Sequence, residues 1–210
     1  AAEVSEPVKP ITYWLDRNVP VKYRATITAG VLEWNKAFEK AGFKDAIVVK
    51  QQPDDADWDT LDAGVASVRW MVNREPVFGA IGPSHVDPRS GEILDADIGM
   101  ESLSSRNLRQ VRARILGGTG TAAAAKDWAE VLQVGQTPAF DGALTAPWSA
   151  QAAMQCRHGE HAAEQLGYAL DVLAARGDID PDSPEAQQFV LDYLKDTTMH
   201  EVGHTLGLRH

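Results

Sequence analysis

The chain has 210 residues, 44% of them apolar and 24% charged, with a formal net charge of −10. That length can bury a substantial core within one domain, and the composition is ordinary for a soluble globular protein. The acidic balance, without any Lys/Arg cluster, excludes a phosphate-backbone binder, and no apolar run approaches the ~20 residues of a membrane span.

Residues 1–10, AAEVSEPVKP, are polar and proline-bounded and read as a tail or linker. They lack the charged-then-apolar pattern of a signal peptide. Ile11 to Leu15 is rich in β-branched and aromatic residues and reads as a strand, closed by Asn18 and Pro20. Residues 21–41 are expected to form one amphipathic helix, with Ile27, Val31, Trp34, Phe38 and Ala41 recurring every three or four positions and Gly42 as the stop. Ala46 to Lys50 is a second strand. Gln51 to Gly64 carries Asp54, Asp55, Asp57, Asp59 and Asp62 and reads as a solvated acidic loop, in preference to a calcium site. Val65 to Val72 is a third strand. Strand, helix, strand, strand implies βαβ packing and a largely parallel sheet.

Residues 77–100 read as a hairpin. Val77 to Gly82 is one arm, His85 to Glu92 holds the turn signals, and Ile93 to Met100 returns. Gly79, Gly82 and Pro83 suit an edge strand that another backbone approaches closely. Asp95 and Asp97 read as solvent-facing. Residues 103–116 read as a basic helix with Arg106, Arg109, Arg112 and Arg114 on a solvated face. Gly117 to Pro147 is mostly loop, with a short helix near Ala122 to Leu132; Gly117-Gly118-Thr119-Gly120 is no phosphate loop, because no Gly-Lys-Ser/Thr follows. Ser149 to Ala175 reads as an alanine-rich helix broken near Gly159, with His158 and His161 as surface or cleft-wall residues and not as metal ligands. The single cysteine, Cys156, excludes an internal disulfide. It reads as a small buried apolar residue, in preference to a thiolate blocking a metal. Gly177 to Asp182 lacks the glycine and glutamate of an EF-hand. Asp182 with Glu185 makes a capping pattern, Pro184 suits a first turn, and a helix is expected from Pro184 to Leu206, anchored by Phe189, Val190, Leu194 and Val202.

The chemistry sits in the last eleven residues, His200-Glu201-Val202-Gly203-His204-Thr205-Leu206-Gly207-Leu208-Arg209-His210. On a helix His200 and His204 lie one turn apart on the same face and can grip one zinc ion. Glu201 is poorly angled for a ligand but well placed to take a proton from a metal-bound water. Gly207 lets the chain leave the helix sharply, so that His210 can return as third ligand. Three imidazoles leave the fourth position to water, whose pKa falls to roughly 7 on zinc. A bare His-Glu-x-x-His arises on many polar helices; the added glycine and third histidine carry the reading.

This stretch resembles the zinc-binding consensus of the metzincin metallopeptidases. With EWNKAFEKAGF and GPSHVDPRSGEILDADIGM it is similar to the peptidase domain of large bacterial zinc-dependent metalloproteases, over most of residues 11–116 and 183–210. The resemblance implies an α/β (α+β) zincin-like fold: a twisted, mostly parallel sheet with an antiparallel edge strand, a long backing helix and an active-site helix. Residues 11–210 would be one catalytic subdomain, with a helical insertion at about 101–182. It implies Zn2+ held by His200, His204 and His210, Glu201 as general base, peptide or protein substrates, and Gly79 to Gly82 as the rim that pairs with extended peptide. It further implies export from the cytoplasm and additional domains on both sides. The family's methionine turn would follow His210, so residues 1–210 alone are expected to cleave little and to hold zinc weakly. The rival reading is a catalytically inactive fragment or a zinc-stabilised protein-binding module, which would not need Glu201.

Overall fold

The structure is a computed structural model that describes residues 4–73, 78–101, 156–180 and 183–210. The helices expected at 103–116 and 122–132, the loop between them and the insertion's central part lie outside the described residues.

Among the described residues six strands form the sheet: β1 (Ile11–Leu15), β2 (Ile47–Gln51), β3 (Ser67–Met71), β4 (Ala80–Ile81), β5 (Ser84–Val86) and β6 (Ile93–Glu101). The order is β2-β1-β3-β6-β4, with β5 also paired to β6. β1 runs parallel to β2 and to β3, and β3 runs parallel to β6. Only β4 and β5 run antiparallel, both against β6. This mixed α/β arrangement with a mostly parallel sheet is compatible with a metzincin-like fold. The inner strands are runs of β-branched and aromatic residues, as buried parallel strands require. β5 occupies residues expected to hold the turn, and a register shift between His85 and Val86 interrupts its pairing.

The expected helix over 21–41 is two helices, α1 (Val21–Leu32) and α2 (Asn35–Lys40). Two side chains are drawn away at the break. The Trp34 indole N–H donates to the Met199 carbonyl (2.8 Å), and the Asn35 amide bonds both the N–H and the C=O of Ile47 (2.8 and 2.9 Å). Gly42 ends α2 at φ +97°, as expected. The N-terminal segment is tied down near Ser5, which exchanges backbone hydrogen bonds with Gly42 and Lys44.

Helix α3 (His158–Ala175) begins one residue before Gly159, with Cys156 and Arg157 outside it, and α4 spans Pro184–Thr205. The cap of α4 is Ser183, whose hydroxyl accepts from the Ala186 N–H, with Pro184 at the first turn; Asp182 lies outside the described residues. Phe189 is exposed and is no anchor. Val190, Leu194 and Val202 pack on the core as expected, and the rest of the buried face of α4 is Ala186, Thr197, Thr198, Glu201, Gly203 and Thr205. Small residues let α4 lie close to its neighbours. A methyl group on Gly30 of α1 would come within 2.8 Å of the Lys195 carbonyl oxygen, and one on Gly82 within 2.6 Å of the Glu201 carbonyl oxygen. The core gathers Tyr13, Leu15, Ile27, Val31, Val68, Ile98, Met100, Leu194 and Val202 between the sheet, α1 and α4.

Candidate metal centre

Helix α4 sets the site because its buried stripe fixes its rotation. Leu194, Thr197, Thr198, Glu201, Val202 and Thr205 face inward, which leaves His200 and His204 half-buried one turn apart. Tyr13 of β1 pins the helix end: its hydroxyl and the Thr205 hydroxyl are 2.7 Å apart in a buried contact. Beyond Leu206 the chain makes a Schellman turn. The Gly207 N–H bonds the His204 carbonyl and the Leu208 N–H bonds the Gly203 carbonyl, with Gly207 at φ +92°. That turn reverses the chain and brings His210 back beside the helix, as its glycine foretold.

The Nε2 atoms of His200 and His204 lie 3.1 Å apart. Nitrogen lone pairs so close need a proton or a cation between them. His204 Nδ1 is 3.0 Å from the Leu208 carbonyl, so Nδ1 carries the hydrogen and Nε2 presents its lone pair. Burial and the neighbouring His158, His204 and His210 push the pKa of His200 down to about 4. It is therefore neutral near pH 7, as a ligand must be.

The fourth member of the cluster is Cys156, which the sequence reading set apart from any metal. Its Sγ lies 3.2 Å from His200 Nε2 and 3.3 Å from His210 Nε2. Donor atoms of Cys156, His200, His204 and His210 all fall within 4.8 Å of one another, the one such cluster among the described residues. Two nitrogens bound tetrahedrally at ~2.0–2.1 Å would lie about 3.3 Å apart. The spacings of His200 to His204 and of Cys156 to His200 and His210 fit a single metal ion. No local pattern could have pointed to Cys156, because 44 residues separate it from His200.

Glu201 sits beside this cluster and is fully buried. Its Oε1 is 3.9 Å from Cys156 Sγ, and its Oε2 is one of two buried side-chain oxygens without a hydrogen-bond partner among the described residues. Burial raises its pKa, against the pull of His204 and His158. His158 stands against the cluster without belonging to it. Its ring stacks on His200 (3.9 Å between centroids, 7° between planes), and its Nε2 lies 2.9 Å from Asp196 Oδ2. His161 is exposed and belongs to no such cluster.

The rim residues are near, but β4 is not an open edge throughout. A methyl group on Gly159 of α3 would come within 2.8 Å of the Ala80 N atom, so the start of α3 lies against β4. On the other side of the histidines a groove of about 550 Å³ is lined by Trp34, Ala37, Met199, Gly203 and Leu208. Asp97 is half-buried, not solvent-facing; Ser67 donates to it, and burial raises its pKa. In the acidic loop, Asp59 pairs with Arg69 and Asp62 accepts from the Asp59 N–H.

A family model described as Met-zincin matches residues 182–210. No curated protein and no solved structure matches the chain. The matched stretch is metzincin-like, and the description implies a metal ion.

Proposed function

We propose that the chain carries the catalytic centre of a zinc endopeptidase, with His200, His204 and His210 as ligands and Glu201 as general base. The observation behind this is the convergence of three imidazoles beside a fully buried carboxylate, one oxygen of which has no hydrogen-bond partner among the described residues. Zinc, when bound, supplies a Lewis acid for the scissile carbonyl and an acidified water. The protein's own residues do the rest. Leu208 fixes the His204 tautomer through its carbonyl, and Tyr13 and Thr205 hold the helix end. Glu201 takes the water's proton and later delivers it to the leaving amine. Its packing against Gly82 would hold the carboxylate next to a metal on the three histidines without making it a ligand. The groove walled by Trp34, Met199 and Leu208 suits an apolar side chain of the peptide. Export and further domains of the same polypeptide belong to the same reading.

A second reading has one observation in its favour. Structural zinc sites close all four positions with protein ligands, often cysteine, and Cys156 stands where a fourth ligand would. A purely structural site has no use for Glu201.

The test is metal content alongside digestion of a peptide library, with Cys156→Ala as parent so that the thiol does not compete. Glu201→Gln should keep one zinc per chain and lose at least ~100-fold in turnover, the low end of a general base's contribution. His204→Ala should lose metal and turnover together. Undiminished cleavage by Glu201→Gln would discard the mechanism. Full zinc retention in His204→Ala would discard the ligand set.

A further inference from the structure

Helix α4 buries Thr197, Thr198 and Thr205, and two of these threonines account for their hydroxyls. Thr198 donates to the Leu194 carbonyl at 2.7 Å, and Thr205 donates to the Val202 carbonyl at 2.8 Å. A helical threonine commonly satisfies itself in this way, on a carbonyl three or four residues back. Thr197 does not. It is fully buried, yet its Oγ1 has no hydrogen-bond partner among the described residues. The other buried side-chain oxygen in that position is Glu201 Oε2, one turn further along the same inward stripe.

A buried polar atom left unpaired costs stability, and native structures leave few. Residues four apart on a helix have Cβ atoms ~5–6 Å apart, a span that one water bridges with two hydrogen bonds. The two oxygens of Glu201 also face different ways. Oε1 lies on the side of the donor cluster, 3.9 Å from Cys156 Sγ. Oε2 faces β4, where a methyl group on Gly82 would stand 3.2 Å from it. A base that takes a proton from a water at the histidines must keep Oε1 on their side. A hydrogen bond on Oε2 fixes the rotation of the carboxylate and does that.

We propose that Thr197 is a positioning residue for Glu201: its hydroxyl donates to one buried water, which donates in turn to Oε2. This deepens the peptidase reading above and rests on it. Thr197 touches no reacting atom; it sets the plane of the carboxylate from one turn away. Valine at this place keeps the shape of threonine without the hydroxyl, and serine keeps the hydroxyl.

The test uses Thr197→Val and Thr197→Ser in the Cys156→Ala parent, with two readouts. The first needs neither metal nor turnover. If the hydroxyl is unpaired, its removal leaves the urea midpoint of the metal-free protein unchanged or raises it. The shared water predicts a lower midpoint in Thr197→Val, because Oε2 loses its partner. The second readout is kinetic. Thr197→Val should keep one zinc per chain and its KM while kcat falls at least ~10-fold, and Thr197→Ser should restore kcat to within ~3-fold. An unchanged or raised midpoint in Thr197→Val would overturn the proposal. So would a lowered midpoint with kcat intact, or a folded Thr197→Ser variant that loses ~10-fold in kcat. That last arm decides alone if far-ultraviolet circular dichroism shows Thr197→Val unfolded. A parent that binds zinc and cleaves no peptide would remove the peptidase reading and the positioning role with it, and the midpoints would still show whether the two oxygens are joined.

Discussion

Tyr13 is the residue through which the sheet holds the histidine-bearing end of α4. Its hydroxyl donates to Thr205 Oγ1, because the Thr205 hydroxyl hydrogen is already given to the Val202 carbonyl (2.8 Å). Burial pushes the Tyr13 pKa up, so the phenol stays neutral and donating. The two ends of this bond are unequal. Tyr13→Phe removes the donor and leaves Thr205 still bonded to Val202, which should cost about 1 kcal/mol. Thr205→Val leaves a buried phenol hydroxyl with nothing to bond, which should cost up to about 3 kcal/mol. Urea unfolding of the two variants reads the difference, and a larger loss in Tyr13→Phe would contradict the assignment. At this scale the sequence was legible where contacts are local. His200, Glu201, His204, Gly207 and His210 fall within eleven residues, so helix geometry and one glycine turn relate them directly. Cys156 and Tyr13 were not legible as site neighbours, and His158 was legible only as a surface or cleft-wall residue, because only the packed fold brings them there. Phe189 misled for a related reason: periodicity finds a helix but does not say how wide a stripe faces the core, and here half of the buried residues are threonine and glutamate.

Helices α1 and α4 cross at Gly30, where the Lys195 backbone and Thr198 leave no room for a side chain. One turn further on, Glu33 reaches over to Lys195 (2.7 Å) and also meets Lys36. These two ammonium groups, Lys195 foremost, lower the Glu33 pKa from 4.5 to about 2. The sign follows directly. The folded chain binds the Glu33 proton less readily than the unfolded chain, so the pair stabilises the fold above about pH 4.5 and loses that contribution as pH falls towards 2. Both lysines reach into solvent, so the effect is modest and salt-screened. Urea midpoints of wild type and Glu33→Gln should therefore converge as pH falls from 5 to ~2. A gap that stays constant over that range would show that the pair does not link the helices. The break between α1 and α2 was hidden from the sequence because the apolar period continues through it; Trp34 and Asn35 are turned by bonds to α4 and β2. β1 was legible to the residue, since β-branched and aromatic runs mark buried strands, whereas the short and irregular β5 was read as turn.

The parallel β2-β1-β3-β6 order with an antiparallel edge follows from strand–helix–strand alternation and a glycine-rich hairpin, both visible in the sequence. What the alternation could not show is that the start of α3 lies between that edge and α4. The consequence reaches the whole molecule, because the four donors come from distant parts of the chain. His200 and His204 belong to α4, His210 to the turn after it, and Cys156 to the segment before α3. One ion bound by all four ties the start of α3 to both ends of that turn. An ion that binds only the folded chain stabilises it by mass action, by about 4 kcal/mol at a thousandfold excess over Kd. Zinc should therefore raise the melting temperature of the wild-type protein, and a chelator should reverse the rise. Cys156→Ala, which keeps the three imidazoles, should show a smaller rise, and His204→Ala little or none. Amide exchange adds a local readout: His161, whose N–H bonds the Arg157 carbonyl at the start of α3, should gain protection with zinc in wild type and not in Cys156→Ala. An equal thermal shift in His204→Ala would put the ion elsewhere in the molecule. An equal shift and equal protection in Cys156→Ala would leave the thiol no part in holding it.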